Sequence, residues 1–261
     1  MATSKLKYVY GPVPSWRLGS SLGIDPISRK HKICSFDCVY CQLGKTKTCT
    51  DQRKEFVAIE QIIKELKSLP PLQIDYITLS GTGEPTLAKN LGRLILKIKN
   101  VRPEKIAVLT NASLLSQTAV RQDLLAADLV AVKLDAATQE IFEAVNKPVK
   151  RIRLNDIIRG IKDFRNEYTG QLVLQIMFIE HNQHQVKQLA ALADEIKPDE
   201  AHLNTPLRPC GVRPLSQQDM DVIKRYFKNQ QVVMVYDAKV KQIQPISSAE
   251  TIRRRGKNIA P

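Results

Sequence analysis

Long apolar runs are missing from this 261-residue chain. No stretch reaches the ~18 residues that a membrane-crossing helix needs. The opening, Met-Ala-Thr-Ser-Lys-Leu-Lys, lacks the apolar core of a secretory leader. A cytoplasmic protein with no membrane association is therefore expected. Aromatic residues are scarce, at 5% with a single tryptophan, which leaves little for a platform that stacks unpaired bases. Cysteines number only five, and in a reducing compartment they argue against a disulfide framework and for metal binding or catalysis. Internal repeats and low-complexity linkers are absent. Acidic residues are outnumbered, 26 against 40 lysines and arginines, for a formal charge of +14. That excess suits a polyanionic partner, or it simply makes a basic, soluble surface. The lysines are spread along the chain and form no recognised nucleic-acid motif.

What is present is an alternation of short apolar strands and amphipathic helices. Strands are expected at 21–27, 74–79, 105–110, 129–134, 171–179 and 200–204. Helices are expected between them at 60–69, 91–99, 116–127, 157–168 and 185–196, with Pro70 and Pro71 stopping the first and Ser116 capping the third. Such alternation demands a parallel sheet with right-handed crossovers. Six strands are fewer than the eight of a closed barrel. The fold class is therefore α/β, a partial (β/α)6 TIM-type barrel, with a doubly wound open sheet as the alternative. A further helix at 217–229 and a strand at 232–236 follow. The barrel with its N-terminal segment is assigned to 1–205, and a short C-terminal extension on the same domain to 206–261.

Three of the cysteines crowd into Cys34-Ser-Phe-Asp-Cys38-Val-Tyr-Cys41. This C-x3-C-x2-C spacing gathers three thiolates at one metal centre and supplies no fourth. Structural zinc is usually closed by four protein ligands, whereas an iron–sulfur cluster that must bind an outside group needs one iron free. Cys49 keeps a rival open: a zinc knot of Cys34, Cys38, Cys41 and Cys49 in a non-catalytic RNA-binding protein. Zinc knots, however, favour paired C-x2-C units. In a parallel barrel the βα-loops collect functional groups at the C-terminal ends of the strands. The cysteine loop, the turn Gly81-Thr82-Gly83-Glu84-Pro85, Asn111, Asp135, Asn182 and Asn204 all fall on that rim.

The cysteine motif, with Tyr40 before its last member, resembles the signature of the radical S-adenosylmethionine superfamily. The resemblance implies that Cys34, Cys38 and Cys41 hold a [4Fe-4S] cluster whose fourth iron is chelated by S-adenosyl-L-methionine. It implies an enzyme of the iron–sulfur oxidoreductase type, reduced by an external electron donor. Such an enzyme cleaves the cofactor reductively, and the resulting 5′-deoxyadenosyl radical takes hydrogen from a substrate. The turn Gly81, Thr82, Gly83, Glu84, Pro85 resembles the family's GGEP motif, whose backbone and acid engage the methionine amino group. Thr82 stands where a glycine is usual. Read alone, the segment is a Gly/Pro turn after a strand. By the same resemblance Asn111, Ser113, Lys133 and Asp135 are candidates for the cofactor's ribose or carboxylate. Gln175, Met177 and Asn182 are candidates for its ribose or adenine. Each is otherwise a turn cap or a solvated polar group.

The stretch Tyr10-Gly-Pro-Val-Pro-Ser-Trp-Arg-Leu-Gly, taken with the cysteine loop, is similar to a small branch of the superfamily related to the wybutosine-synthesis enzymes, which act on transfer RNA. A transfer RNA nucleotide is thus a candidate substrate, with a peptide or small metabolite as alternatives. Arg17 suits an anionic ligand, or it belongs to a structural loop. Cys210 is a candidate hydrogen donor or auxiliary ligand, or a small buried thiol without a role. His31, His181, His184 and His202 form no metal motif. The basic run 251–257 is a solvated tail, unless it contacts phosphates or folds back over the barrel mouth.

Overall fold

The structure, a computed structural model, describes residues 6–237 and 241–256. Val9–Ser15 (β1) turns through Trp16 and Arg17 and returns antiparallel as Gly19–Ile24 (β2). The long loop that follows carries the cysteines and a two-stranded ribbon, Ile33–Cys34 (β3) with Thr48–Cys49 (β4). Beyond β2 every neighbour in the main sheet is parallel: Tyr76–Leu79 (β5), Lys105–Thr110 (β6), Leu129–Lys133 (β7), Gln171–Met177 (β8), Glu200–Asn204 (β9) and Val232–Met234 (β10). The order β1-β2-β5-β6-β7-β8-β9-β10 does not close on itself, so the sheet curls into a half-barrel. The six expected strands are β2 and β5 to β9. The strand expected at 232–236 is β10, which ends at Met234, and with β1, which is not among the expected strands, it extends the sheet to eight.

Alternation along the strands separates two apolar layers, because successive side chains point to opposite faces. Ile77, Ile106, Val130, Leu174 and Leu203 face outward into the main core beneath the helices. Burying a side chain of that size contributes roughly 1.5–3 kcal/mol, so this face anchors the helical layer. The intervening Ala107, Leu129, Ala131 and Val173 face inward and pack on Leu18 from the β1–β2 turn. That plug closes the N-terminal end of the interior. The other end stays open for the loops.

The helices are Ile59–Lys67 (α1), Leu91–Lys99 (α2), Thr118–Leu124 (α3), Gln139–Asn146 (α4), Leu154–Glu167 (α5), Val186–Ile196 (α6), Gln217–Lys224 (α7) and Ser248–Arg255 (α8). In α1, Ile59, Ile62 and Leu66 recur at helical spacing and are buried. Three sequence expectations change. Ser116 is not the cap of α3; that position falls to Gln117, which makes no side-chain bond. The backbone at Leu115 and Ser116 instead presses on α5, where a Cβ at Gly160 would lie 2.5 Å from the Ser116 nitrogen. The α7 helix stops at Lys224, short of 229, after starting on a capping box between Ser216 and Asp219. Finally, α4 has no counterpart among the expected helices, and it proves central to the site.

Residues beyond 206 build onto both edges of the sheet. The β10 strand pairs with β9, and α8 lies along β1, where the Ile246 amide donates to the Gly11 carbonyl at 2.8 Å and the Gly11 amide to Thr251 Oγ1 at 3.1 Å. The basic run thus folds back against the barrel as far as Arg255; Lys257 lies outside the described residues. No helix among the described residues is long and apolar enough to cross a membrane.

Candidate active site

The cysteine loop is held at both ends. Toward its start, the Ile33 amide donates to the Thr82 carbonyl at 3.1 Å, and the Glu84 amide donates to the Ile33 carbonyl at 3.2 Å. This ladder runs so close that a Cβ on Gly83 would sit 1.7 Å from the Ile33 oxygen, which is why the position is glycine. Further along, the Asp37 and Val39 amides donate to the Asn146 and Val145 carbonyls, both at 3.0 Å. Phe36 packs edge-on against Phe142 of α4 with ring centroids 5.3 Å apart. The loop is a braced shelf between β5 and α4.

Cys34, Cys38 and Cys41 line one cavity of about 530 Å³ at the open end of the half-barrel. That size is ordinary for a small-ligand site. Burial pushes the Cys34 and Cys38 thiols up, with the Glu84 carboxylate adding to the first. Their surroundings nonetheless suit bound, anionic sulfur. Asn111 Nδ2 donates to Cys34 Sγ at 3.6 Å, and Asn146 Nδ2 to Cys38 Sγ at 3.4 Å. Lys32 is buried beside the trio; burial works against its charge, yet the sulfurs of Cys41 and Cys34 outweigh this and raise its pKa. Three thiols, two amide donors and a buried ammonium are a donor set that fits an iron–sulfur cluster.

The four-cysteine knot is not assembled. Tetrahedral Zn–S bonds of ~2.3 Å would draw four sulfurs into a tight group. Among the described residues no three His, Cys, Asp or Glu side chains gather around a single-ion site. Cys49 pairs in register with Cys34 but is exposed, and its thiol faces the Ser35 carbonyl at 3.8 Å.

The Gly81–Glu84 stretch meets the same cavity, but not with every residue. Gly81, Gly83 and Glu84 line it, whereas Thr82 and Pro85 do not. The Thr82 hydroxyl donates to Asp25 Oδ2 at 2.8 Å, which explains how a threonine fits where a glycine is usual. Gly81 has φ of 130°, and a Cβ there would lie 2.4 Å from Asp25 Cγ. Glu84 Oε1 accepts from the Thr86 amide and hydroxyl and from the Thr110 hydroxyl, at 3.0, 2.8 and 2.6 Å. Among the described residues its Oε2 accepts only from the Asn111 amide, at 2.7 Å. Burial raises the Glu84 carboxyl against these bonds. The second oxygen keeps acceptor capacity toward the cavity.

A second network braces the far wall. Tyr40 donates to Asp135 Oδ2, Asn146 Nδ2 donates to Tyr40 Oη at 3.0 Å and to Asp135 Oδ2 at 2.8 Å, and Lys133 Nζ lies 3.3 Å from Tyr40 Oη and 4.8 Å from its ring centroid. Burial and the Asp135 charge hold the Tyr40 phenol well above its usual range. Asp135 Oδ1 is taken by the Met177 amide at 2.8 Å. Asn182 bonds the Asp135 and Met177 carbonyls at 2.7 and 2.8 Å and is fully buried.

Of the sequence candidates, Tyr40, Asn111, Lys133, Gln175, Met177 and Asn204 line the cavity, while Ser113, Asp135 and Asn182 stand behind it. Ser113 bonds Ser35 Oγ at 2.7 Å, so it positions the loop. Cys210 also misses the cavity; its thiol points at the Val212 carbonyl at 3.3 Å. Sequence reasoning misses Lys32 and Asn146. The lysine two residues before the first cysteine is a usable signal; nothing local marks Asn146.

An open parallel half-barrel with three cysteines on its rim loop defines a class, and comparison agrees. Residues 30–193 match the family model described as the Radical SAM superfamily, and the chain belongs to that superfamily of S-adenosylmethionine-dependent radical enzymes. Membership implies an iron–sulfur cluster and S-adenosylmethionine. Within it, the chain is 44% identical over 211 residues to a UPF0026 protein of Synechocystis sp., covering 80% of this chain and 78% of that protein. SuiB of Streptococcus suis bound to S-adenosylmethionine superposes with a TM-score of 0.62 at 14% identity, over 78% of this chain and 48% of that one. TYW1 with a lysine-pyruvate adduct bound gives 0.63 at 14% identity, over 87% and 81%. At such identities the likeness is one of fold.

Proposed function

We propose that the chain holds a [4Fe-4S] cluster on Cys34, Cys38 and Cys41 and uses it to cleave S-adenosylmethionine reductively, generating a 5′-deoxyadenosyl radical that acts on a polyanionic substrate. A transfer RNA nucleotide is the candidate that the +14 charge favours. The observation that carries the reading is that three cysteines line one cavity beside Gly83 and Glu84, while the remaining cysteines stay out of it. When bound and reduced by an external donor, the cluster supplies the electron that breaks the cofactor's sulfonium bond.

The chain's own residues have separable roles. Lys32 offsets negative charge at the sulfurs, and the Asn111 and Asn146 amides donate to two of them. Gly81 and Gly83 put backbone on the cavity wall, and Glu84 Oε2, which has acceptor capacity left, would accept from the methionine ammonium of a bound cofactor. Thr82, Ser113, Asp135 and Asn182 shape the turns that carry these groups, and Pro85 opens the short helical turn that Glu84 caps. Tyr40, Asn111 and Lys133 line the cavity that would hold the cofactor.

The test is direct. Anaerobically reconstituted protein with a strong reductant should convert S-adenosylmethionine to 5′-deoxyadenosine, and C38A should abolish this. Turnover undiminished in C38A, or colourless protein with stoichiometric zinc, would overturn the reading.

A further inference from the structure

The cavity carries more positive charge than its cofactors explain. Among the described residues six cationic side chains line it, Arg17, Lys32, Lys133, Arg208, Arg254 and Arg255, against one carboxylate, Glu84. Three are accounted for. Lys32 lies among the sulfurs, Lys133 against Tyr40, and Arg254 pairs with Asp25 and Glu250.

Arg17, Arg208 and Arg255 have no carboxylate partner among the described residues. The partners they do have there are neutral. Arg17 Nη1 donates to the Gln175 side chain, and its Nε is buried with no hydrogen-bond acceptor. Arg208 Nη1 donates at 3.0 Å to Gln42 Oε1 and at 3.0 Å to the Arg255 carbonyl. Arg255 Nη2 donates at 2.6 Å to the Pro14 carbonyl. Each residue is only partly exposed, and all three line the cavity.

Three separate elements bring these guanidiniums together: the β1–β2 turn, the segment after β9, and the last residue of α8. Burial, with repulsion from Arg255, lowers the Arg17 pKa to about 10. Burial, with repulsion from Arg255 and Arg17, lowers that of Arg208 to about 9. Like charges held together in a desolvated space destabilise the empty site and favour an anion that neutralises them. A single carboxylate would leave two of the three charges uncompensated. A phosphate or pyrophosphate matches both the charge and the forked geometry of the donors.

We propose that Arg17, Arg208 and Arg255 form a subsite for the phosphate or pyrophosphate group of the substrate, inside the same cavity as the cysteines. Calling the ligand a substrate rests on the radical reading above; binding of the anion does not. The phosphate comes from a free nucleotide or from an RNA strand, and the chemistry recognised is the same.

The experiment uses the full, reconstituted chain with S-adenosylmethionine present, and inorganic pyrophosphate as the probe in calorimetry. One pyrophosphate should bind per chain, weakening as salt rises. R17Q and R208Q should each weaken it by about tenfold or more, the scale of one lost charge-assisted hydrogen bond, with R17K in between. Absence of wild-type binding at about 1 mM overturns the subsite whether or not the variants fold. Pyrophosphate binding that S-adenosylmethionine abolishes also overturns it, by giving the arginines to the cofactor's carboxylate. Displacement by a nucleoside triphosphate but not by transfer RNA supports the subsite and assigns a free nucleotide; the reverse supports it and assigns RNA. Cleavage of S-adenosylmethionine is scored separately. Protein that cleaves it but ignores pyrophosphate loses the subsite alone, and protein that binds pyrophosphate without cleavage loses the radical reading alone.

Discussion

Arg254 is where the C-terminal helix is fastened to the end of β2, and removing it should cost the protein measurably. Its side chain is fully buried, as is that of Asp25, and Arg254 Nε lies 3.3 Å from Asp25 Oδ2 without the alignment of a hydrogen bond. The same guanidinium bonds Glu250 and the Lys7 carbonyl. Breaking a buried pair by deleting one partner typically costs 3–5 kcal/mol, because the other charge is left uncompensated. Asp25 keeps four donors, from the Ile27, Ser28 and Thr82 amides and the Thr82 hydroxyl. The cost of R254M should therefore fall at the low end, about 3 kcal/mol. For a chain of this size that is about 6–12 °C in Tm. Urea unfolding of wild type, R254M, D25N and the double variant would measure it, and the double variant should be less destabilised than the sum of the singles by about 1–3 kcal/mol. A loss under about 1 kcal/mol, or strict additivity, would refute the assignment of Arg254 as a buried, charge-coupled anchor.

Other consequences are narrower. N146A removes an amide donor from Cys38 Sγ, and at about 1 kcal/mol per hydrogen bond the cluster's midpoint should fall by roughly 40 mV in a redox titration followed by electron paramagnetic resonance. G83A forces a methyl against the Ile33 carbonyl; it should cost about 3 kcal/mol, at the top of the overpacking range, and reduce iron loading, read from denaturation and iron analysis. C49S should leave iron content unchanged, since that thiol is exposed and lies outside the cavity. E250Q should flatten acid unfolding. Burial lifts the Glu250 carboxyl, but bonds from Arg254 and Arg253 outweigh it and hold the pKa below the usual value. That stabilisation is complete above the unfolded pKa of ~4.3 and is lost as pH falls through the folded one, so the variants should converge at low pH.

Much of the fold and of the cysteine site is legible in the amino-acid sequence, for local reasons. The six barrel strands announce themselves as apolar runs between turn signals, and the cysteine spacing is a contiguous pattern. The β1 strand is hidden because Gly11, Pro12 and Pro14 break its pattern, and only an edge position, with few ladder bonds to satisfy, tolerates them. The α4 helix has only eight residues, too few for a clear period, and its partners Phe36 and Cys38 lie about a hundred positions away. The same distance hides Asn146. Thr82 looks like a flaw in its motif because the compensating group, Asp25, belongs to another strand's loop. Arg17 gives a hint in the sequence, but Arg208 and Arg255 join it only through the fold.

The decisive measurement is Mössbauer spectroscopy of the anaerobically reconstituted, 57Fe-loaded protein with and without S-adenosylmethionine. One iron of four should change its signal when the cofactor binds, and C38A should lose the cluster. Four irons that all ignore the cofactor would mean that none is left open to it, and the chemistry proposed for Cys34, Cys38 and Cys41 would fall.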